Sequence, residues 1–302
     1  MLKLAVIGKD VSQSQSPAMH TFLLHALGEE CSYEAVSIPP EKFHERAEGL
    51  FETYDAFNVT IPFKTDIMPY LKELKGDAKT FGAVNVVLSK SRTGYNTDGM
   101  GFLLMLENAG VSVRGKDVLV LGAGGAGRSC IKKLAEAGAN VFAYERDEKR
   151  LEAVAKEFGC FVPLSEVEAR RYGVIFNCTG IGMHKTVGMT PSVRTKAGEQ
   201  PVGEELLSLC DTAVDLIYVP KESEFLRIAR TLGKKTVEGG PMLFYQAYYG
   251  DCIYVGREPK AEEAKRLYEE YLKEKADWTG SDGRRGNVDK RRIGQRSEGE
   301  RI

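Results

Sequence analysis

Two short segments of the chain carry the side chains best suited to acid–base chemistry. Residues 58–64 (NVTIPFK) end a predicted strand with Lys64, and residues 94–99 (GYNTDG) contain the carboxylate of Asp98. A lysine beside a carboxylate keeps its positive charge, because the opposite charge favours the ionised form. Such an ammonium group can protonate an oxygen on which negative charge develops. Either segment alone could instead be turn chemistry with a solvated side chain.

Three other segments contain more polar side chains than a purely structural role would require. Residues 12–17 (SQSQSP) place the hydroxyl groups of Ser14 and Ser16 at the start of a predicted helix, a place that suits an anionic carboxylate. Residues 82–85 (GAVN) and 239–246 (GGPMLFYQ) add amide side chains. Ser16 could also serve only as the N-cap of its helix.

A glycine-rich turn, GAGGAG at residues 122–127, follows a buried strand and precedes a predicted helix. Alone, this turn is a weak signal, but its place between a strand and a helix is typical of dinucleotide-binding proteins. Gly122 would form the tight turn, Gly124 would let the backbone approach a pyrophosphate, and Gly127 would let the helix pack on the strand. The free N–H groups at the helix N-terminus would bind phosphate.

The end of the following strand, at residues 144–147 (YERD), should distinguish NAD from NADP. An acidic side chain there binds the ribose hydroxyls of NAD, whereas basic side chains accommodate the 2′-phosphate of NADP. Glu145 and Asp147 favour NAD, and Arg146 and Arg150 favour NADP. The residues themselves leave both cofactors open.

The elements that would position these residues divide the chain into two parts. The first hundred residues read as a mixed α/β unit, and from about residue 101 buried strands alternate regularly with helices, which is typical of a doubly wound parallel sheet. The predicted fold class is α/β. We expect an N-terminal mixed α/β substrate domain over residues 1–100, completed by 239–275, and a Rossmann-type doubly wound dinucleotide-binding domain over 101–238.

Individual elements are predicted from apolar periodicity and helix-capping residues. One helix should begin with Ser16 as N-cap and Pro17 as first helical residue. Residues 183–200 should form a long loop, and residues 276–302, which are nearly free of apolar side chains, should be disordered. The predicted strands are 2–8, 33–38, 56–60, 83–89, 117–121, 141–144, 174–177 and 213–216, and further helices are predicted after Pro40, at 102–109 and 128–137, from near Pro241, and at 261–272.

Composition excludes several classes of function. The formal net charge of −1 gives no bias toward nucleic acid or an anionic membrane. The six cysteines are scattered, with no Cys-x-x-Cys and no histidine at ligand spacing, so we expect reduced thiols and no metal site. No apolar run approaches the roughly 20 residues of a spanning helix, and no signal peptide is recognisable. We therefore expect a cytoplasmic protein with a small-molecule substrate, either a monomer or a homodimer.

Taken together, the motifs resemble those of shikimate dehydrogenases, and the resemblance runs from about Leu4 to Leu272. The NVT-x-P-x-K and NTD segments in this order are specific to that family. The matching segments are SQSP at 14–17, NVTIPFK at 58–64, GAVN at 82–85, NTDG at 96–99, GAGGAG at 122–127, NCTGIGM at 177–183, DLIYVP at 215–220 and GGPMLFYQA at 239–247.

The resemblance implies an NADP-dependent oxidoreductase that interconverts 3-dehydroshikimate and shikimate in the chorismate pathway to the aromatic amino acids. Its site would lie in the cleft between the two halves, with Lys64 and Asp98 as the catalytic pair. The implied substrate-binding residues are Ser14, Ser16, Thr60, Asn85, Tyr218 and Gln246. The implied cofactor-binding residues are Gly122, Ala123, Gly124, Gly125, Ala126, Gly127, Glu145, Arg146, Arg150, Thr179, Met183, Gly239 and Met242.

The chain departs from the family pattern in two places. Asp10 and Gln13 replace the usual Pro and His before the serines, which bears on substrate affinity and loop shape. At the cofactor strand, Glu-Arg-Asp at residues 145–147 replaces the usual Asn-Arg-Thr. NADP is the predicted cofactor because Arg146 and Arg150 keep a basic clamp, with NAD as the alternative.

The chemistry fits the implied roles. Hydride transfer to a ketone leaves an alkoxide that needs a proton, which Lys64 could supply. In the reverse direction Lys64 must first lose a proton, so we expect faster oxidation at alkaline pH. Two alternatives stay open: a quinate or dual quinate/shikimate dehydrogenase using NAD, and a non-catalytic nucleotide-binding relative, against which the presence of both Lys64 and Asp98 argues.

Overall fold

The structure is a computed structural model that describes residues 1–159, 167–183, 201–218, 220 and 222–280. Within these residues the strands form two sheets, one of six strands and one of five. The predicted α/β fold class is thereby confirmed. The division into domains at residues 100 and 239 stays a prediction.

The first sheet is mixed, with strand order β2-β1-β3-β5-β6-β4. Strand β1 is parallel to β2 and β3, whereas β5 runs antiparallel to β3 and β6. Three helices, α1–α3, accompany it. The elements are β1 (Leu2–Gly8), α1 (Ser16–Ala26), β2 (Cys31–Ser37), α2 (Phe43–Thr53), β3 (Ala56–Val59), β4 (Glu73–Leu74), α3 (Asp77–Phe81), β5 (Val86–Leu88) and β6 (Thr93–Tyr95), with single 3₁₀ turns at Pro40–Lys42 and Met68–Tyr70.

The second sheet is entirely parallel, with strand order β11-β10-β9-β7-β8. The chain order reverses around β7, which lies between β8 and β9, and doubly wound folds bind ligands at the carboxyl ends of the strands at this switch point. The elements are α4 (Asp98–Asn108), β7 (Asp117–Leu121), α5 (Gly125–Glu136), β8 (Asn140–Tyr144), α6 (Glu148–Phe158), β9 (Tyr172–Asn177), α7 (Glu204–Ser208), β10 (Cys210–Asp215), α8 (Glu224–Thr231), β11 (Lys235–Val237), α9 (Gly240–Tyr254) and α10 (Ala261–Gly280).

Helices α4 and α9 connect the two sheets. They approach closely at Gly101, where a Cβ atom would lie 2.6 Å from the backbone nitrogen of Gln246 and 2.8 Å from the carbonyl oxygen of Met242. A side chain at residue 101 would therefore separate the helices. The largest core cluster extends through them, since it joins Leu23 of α1 and Phe102 of α4 with side chains of the second sheet.

Several element boundaries differ from the sequence predictions. Strands 2–8 and 117–121 agree to the residue. The prediction for α1 is wrong by one residue, because the helix begins at Ser16 and Gln15 is its N-cap. Helix α4 begins at residue 98 and not at the predicted residue 102. The ends of the other helices and strands differ from the predicted ends, because fraying and capping determine which residue is the last of an element.

The C-terminal segment and one loop were predicted to lack regular structure. Helix α10 extends to Gly280, so the prediction of disorder from residue 276 is corrected for its first five residues. Residues 281–302 of the predicted tail and 184–200 of the predicted loop lie outside the described residues. Among the helices that are described, none has both the length and the apolar character needed to cross a bilayer.

Candidate active site

Lys64 and Asp98 meet although 34 residues separate them. Lys64 lies in the turn after β3, and Asp98 is the first residue of α4. The Lys64 Nζ atom is 2.6 Å from Asp98 Oδ2, and the two side chains are 27% and 23% exposed. The position at a helix N-terminus stabilises the carboxylate. The pair is therefore preformed and open to a ligand.

Asn85, directly before β5, connects this ion pair to α9. Its Nδ2 donates to Asp98 Oδ1 at 2.9 Å and to Gln246 Oε1 at 2.8 Å. Its Oδ1 accepts from the backbone nitrogen of Thr97 at 2.9 Å. Asn85 is buried, and a buried amide with several partners holds one orientation. We call Lys64, Asn85, Asp98 and Gln246 the Lys–Asp cluster.

A second buried asparagine, Asn58, supports the Lys–Asp cluster from β3, and the sequence reasoning gave it no role. Its Nδ2 donates to the carbonyl oxygen of Asn85 at 3.1 Å. Its Oδ1 accepts from the hydroxyl groups of Tyr33 at 2.6 Å and Tyr254 at 2.8 Å. A polar residue within the buried strand AFNV was the available signal, because a buried amide needs partners.

The remaining predicted substrate residues lie in three other places. The hydroxyl oxygens of Ser14 and Ser16 are 3.1 Å apart, and Ser14 Oγ accepts from the backbone nitrogen of Ser16 at 3.2 Å. Thr60 directly follows β3, and its nitrogen donates to the carbonyl oxygen of Ile7 at 2.9 Å. Tyr218 follows β10, and burial raises the pKa of its phenol. Within the described residues, no hydrogen bond joins Ser14, Ser16, Thr60 or Tyr218 to the Lys–Asp cluster.

The glycine-rich turn has the backbone geometry expected of a phosphate-binding loop. Gly122 has a φ of 92°, which favours glycine, and a Cβ on Gly127 would collide with the carbonyl oxygen of Gly122. At Gly124, by contrast, a Cβ would meet nothing within 4 Å. Gly124 is also the N-cap of α5, which has no side-chain cap. A pyrophosphate therefore fits this turn, with open space and unpaired N–H groups before it.

Thr179 lies against the same turn. A Cβ on Gly122 would be 2.7 Å from Thr179 Cγ2. Asn177, the last residue of β9, accepts from Thr179 N at 3.0 Å and from Thr179 Oγ1 at 2.7 Å, and donates to Asp215 Oδ1 at 3.0 Å. Asp215 is fully buried, and burial raises its pKa from 3.8 to about 6 despite hydrogen bonds that oppose the shift. Asn177 and Asp215 begin the motifs NCTGIGM and DLIYVP, but the sequence predicted no role for either residue.

The acidic and basic residues predicted to select the cofactor follow β8, and Arg150 lies in the first turn of α6. Glu145 Oε2 accepts from the backbone nitrogen of Ala123 at 3.0 Å, so its carboxylate contacts the glycine-rich turn. Arg146 is exposed. The Nε atom of Arg150 lies 3.8 Å from Asp147 Oδ2. Both signs of charge are therefore present at this position.

Of the other predicted cofactor residues, Gly239 and Met242 lie at the start of α9, and Met183 lies in the turn after β9. Gly239 is the N-cap of α9, and a Cβ there would be 2.4 Å from the carbonyl oxygen of Leu216. Met242 N donates to Gly239 O at 3.1 Å, and Met183 N donates to Gly180 O at 3.2 Å. Glycine at 239 is thus required for the chain to pass close to the end of β10.

No group of three or more potential metal ligands occurs among the described residues. The Lys–Asp cluster lies beside α4 and α9, and the glycine-rich turn lies at the switch point of the parallel sheet. An acid–base pair and a dinucleotide turn are the two parts that a hydride-transferring dehydrogenase needs.

Comparison with known proteins agrees with this geometry. A model of the shikimate dehydrogenase substrate-binding domain matches residues 6–87, and a model of shikimate / quinate 5-dehydrogenase matches residues 104–199. A shikimate dehydrogenase (NADP(+)) from Thermus thermophilus is 38% identical over 262 residues, which cover 86% of this chain and 94% of that protein. The chain belongs to the shikimate dehydrogenase family. The resemblance inferred from the motifs is confirmed.

Solved structures of this family have the same fold. A shikimate 5-dehydrogenase from Thermus thermophilus in complex with NADP(H) and shikimate has a TM-score of 0.76 at 34% identity, covering 89% of this chain and 99% of that one. The Listeria monocytogenes shikimate 5-dehydrogenase in complex with shikimate and NAD has a TM-score of 0.72 at 26% identity, covering 89% and 96%.

Proposed function

We propose that the protein is an NADP-dependent shikimate dehydrogenase that reversibly reduces 3-dehydroshikimate to shikimate in the chorismate pathway. The observation that carries the proposal is the 2.6 Å contact between Lys64 Nζ and Asp98 Oδ2, in a chain that also has a glycine-rich turn suited to a dinucleotide. The names of relatives that are 31–38% identical over most of the chain support the same activity.

The substrate is held by hydroxyl and amide groups. We assign its carboxylate to Ser14 and Ser16, whose paired hydroxyls lie at the N-terminus of α1, where the helix dipole favours an anion. We assign its ring hydroxyls to two members of the Lys–Asp cluster and to two residues that follow strands β3 and β10. These residues are Thr60, Asn85, Tyr218 and Gln246.

The cofactor is held by the turn after β7 and by the residues around it. NADPH, when bound, supplies a hydride to the carbonyl carbon of the substrate. The chain contributes phosphate-binding N–H groups at the start of α5 and glycines that leave room for the pyrophosphate. The residues assigned to the cofactor are Gly122, Ala123, Gly124, Gly125, Ala126, Gly127, Glu145, Arg146, Arg150, Thr179, Met183, Gly239 and Met242.

Lys64 performs the proton transfer. As negative charge develops on the substrate oxygen, the N–H bond of the ammonium breaks and an O–H bond forms, which leaves a neutral amine. Solvent can return the proton, because the Lys64 side chain is 27% exposed. Asp98 orients the ammonium through Oδ2, while its Oδ1 accepts from Asn85. Fixing both carboxylate oxygens keeps Lys64 in one position.

Steady-state kinetics test the activity directly. The kcat/KM for shikimate and for quinate, each with NADP+ and NAD+, should be highest for shikimate with NADP+. A higher value for quinate would favour a quinate/shikimate dehydrogenase, the alternative suggested by the description of the second family model. No turnover of either acid with either cofactor would overturn the proposal and favour a nucleotide-binding relative without catalysis.

The pH profile tests the role of Lys64. Oxidation of shikimate requires Lys64 to accept a proton, so we expect a higher rate at alkaline pH than at neutral pH. A flat profile from neutral to alkaline pH would contradict the assignment.

We also propose that the protein acts in the cytoplasm. We further propose that it consists of a substrate domain over residues 1–100 and 239–275 and a cofactor domain over residues 101–238. Among the described cysteines, all five are free thiols, which fits a reducing compartment. Sedimentation will distinguish a 33.4 kDa monomer from a homodimer.

A further inference from the structure

A histidine and an aspartate form a buried contact between α1 and α9. His20 Nδ1 lies 2.6 Å from Asp251 Oδ1, and the two side chains are 2% and 0% exposed. Among the described residues, the second carboxylate oxygen, Asp251 Oδ2, has no hydrogen-bond partner. Burial raises the pKa of Asp251, and the neighbouring His20 opposes this shift. A buried polar pair adds little to stability compared with apolar residues of similar size, so its presence in the core calls for another explanation.

Both helices joined by this contact carry residues to which we assign the substrate. On α1, Ser16 lies one turn before His20, and Ser14 directly precedes the N-cap of the helix. On α9, Gln246 lies five residues before Asp251. The contact between His20 and Asp251 therefore joins the helix that presents the serine hydroxyls to the helix that presents Gln246.

Apolar side chains also hold α1 against α9. The ring centroids of Phe22 and Phe244 are 6.4 Å apart, and Met19 and Leu23 belong to the same core cluster as Phe244. Apolar contacts are not directional, so they fix the spacing of two helices more firmly than their axial shift. A short hydrogen bond between buried groups has a narrow geometry. The polar pair therefore supplies the directional contact between the two helices.

The ring of His20 also supports the Lys–Asp cluster, independently of its hydrogen bond. It stacks on the ring of Tyr33, with centroids 4.6 Å apart and planes that differ by 7°. The Tyr33 hydroxyl donates to Asn58 Oδ1 at 2.6 Å, and Asn58 Nδ2 donates to the carbonyl oxygen of Asn85 at 3.1 Å. Asn85 in turn orients Asp98. A variant that keeps an aromatic ring at residue 20 should therefore leave the catalytic pair in place.

We infer that His20 and Asp251 are positioning residues for substrate binding, because their contact fixes the paired hydroxyls of α1 relative to Gln246. Neither side chain is exposed enough to touch the substrate itself. The inference rests on the proposed function, in which Ser14 and Ser16 bind the substrate carboxylate.

Steady-state kinetics of a double variant separate positioning from stability. His20→Phe/Asp251→Ala keeps a ring on Tyr33 and removes both polar groups, an exchange that leaves stability nearly unchanged. The KM for shikimate should rise by about tenfold, the equivalent of one hydrogen bond. In contrast, kcat should fall by less than about threefold, and the dissociation constant of NADP+ should stay as in wild type. Calorimetry with shikimate should show the same loss of affinity.

Three further variants make the test specific. Asp251→Asn keeps the shape of the side chain and an oxygen that can accept from His20, so its KM for shikimate should stay within about threefold of wild type. The matched control His25→Phe changes an exposed histidine of α1 and should leave this KM unchanged. If the double variant does not fold, Asp251→Ala alone should show the same rise in KM, because a buried imidazole can be neutral and leaves no stranded carboxylate.

The inference fails if the KM for shikimate in the folded double variant is no higher than in His25→Phe. Equal losses in KM, kcat and NADP+ affinity would also overturn it, since they would indicate a general loosening of the fold. A KM in Asp251→Asn as high as in the double variant would do the same. The proposed function is judged on wild type alone: no turnover of shikimate or quinate would end both proposals, whereas an active wild type and an unchanged KM in the double variant would end only this inference.

Discussion

Two lysine–aspartate ion pairs meet the first turn of α4, and they differ in access to solvent. In the first, Lys64 and Asp98 are 27% and 23% exposed. In the second, Lys133 of α5 lies 2.8 Å from Asp77 of α3, and the two side chains are only 9% and 16% exposed. The backbone of Gly99 packs on this second pair, since a Cβ there would be 2.7 Å from Lys133 Cε.

The difference suits the open pair to the acid–base role that we propose for it and the buried pair to stabilising the fold. The more open pair can exchange a proton with a ligand and with water, as an acid–base group must. The more buried pair joins α3, in the first half of the chain, to α5, in the second. Burial would lower the pKa of Lys133, but its hydrogen bonds to Asp77 and Glu136 outweigh burial and raise it above 10.5.

The largest expected effect is on catalysis at the open pair. Lys64→Ala should lower kcat by about 10²- to 10⁴-fold, because the proton donor is lost, while NADP+ binding stays as in wild type. Initial rates of shikimate oxidation and calorimetry with NADP+ measure the two quantities. Lys72→Ala, at an exposed lysine of the same half, is the control and should keep wild-type kcat. A loss in Lys64→Ala no larger than in this control would show that the open pair is not catalytic.

The buried pair should affect stability and not chemistry. Lys133→Met leaves Asp77 as a poorly solvated charge without its partner, so the free energy of unfolding should fall by about 3 kcal/mol. Urea denaturation measures the loss, and kcat should stay close to the wild-type value. The double variant Asp77→Asn/Lys133→Met removes both charges and should recover much of the stability. Equal losses in the single and double variants would refute this account.

The two pairs also differ in how far the sequence could predict them. Lys64 and Asp98 stand in specific motifs at turns, where polar residues have few structural reasons to cluster, and the sequence reasoning chose both. Lys133 is the second lysine of an ordinary helical run, IKKL, and such lysines are mostly solvated. Its burial depends on the packing of α3 and α5 around Gly99, which no local pattern encodes.

The elements of the fold were likewise only partly predictable from the local sequence. The apolar strand 117–121 and the glycine turn were predictable because a buried parallel strand has a continuous hydrophobic run. Strand β4 has two residues, α3 has five and β11 has three, which is too short for a period to show. The support of Asn85 by Asn58 was also missed, since the two hydroxyl donors to Asn58 come from one strand and one helix that are far away in the sequence.

A third aspartate sharpens the comparison, because its hydrogen bonds come from neutral groups: Ser223, Asn177 and the backbone of Ile217. Burial raises the pKa of Asp215 from 3.8 to about 6. As the pH rises from 4 to 6, the Asp215 carboxyl group therefore loses its proton in the unfolded chain before it does so in the folded protein. The contribution of Asp215 to stability falls as the pH rises.

This change can be measured as the difference between the free energies of unfolding of wild type and of Asp215→Asn. The difference, wild type minus variant, should fall by up to about 3 kcal/mol from pH 4 to above pH 6, since each pKa unit corresponds to about 1.4 kcal/mol. Urea denaturation of both proteins at several pH values in this range measures the difference. A difference that is constant with pH, or that rises, would contradict a raised pKa for Asp215.

The smallest expected effect concerns the second partner of Lys133. Glu136 Oε2 lies 2.8 Å from Lys133 Nζ one turn along α5, but the Glu136 side chain is 47% exposed. An exposed pair at this spacing contributes about 0.5 kcal/mol, so Glu136→Gln should lower the free energy of unfolding by about that amount. High salt should abolish this loss by screening and should leave most of the Lys133→Met loss in place. If Glu136→Gln were as costly as Lys133→Met, Glu136 and not Asp77 would be the principal partner of Lys133, and the contrast with the open pair would rest on a different carboxylate.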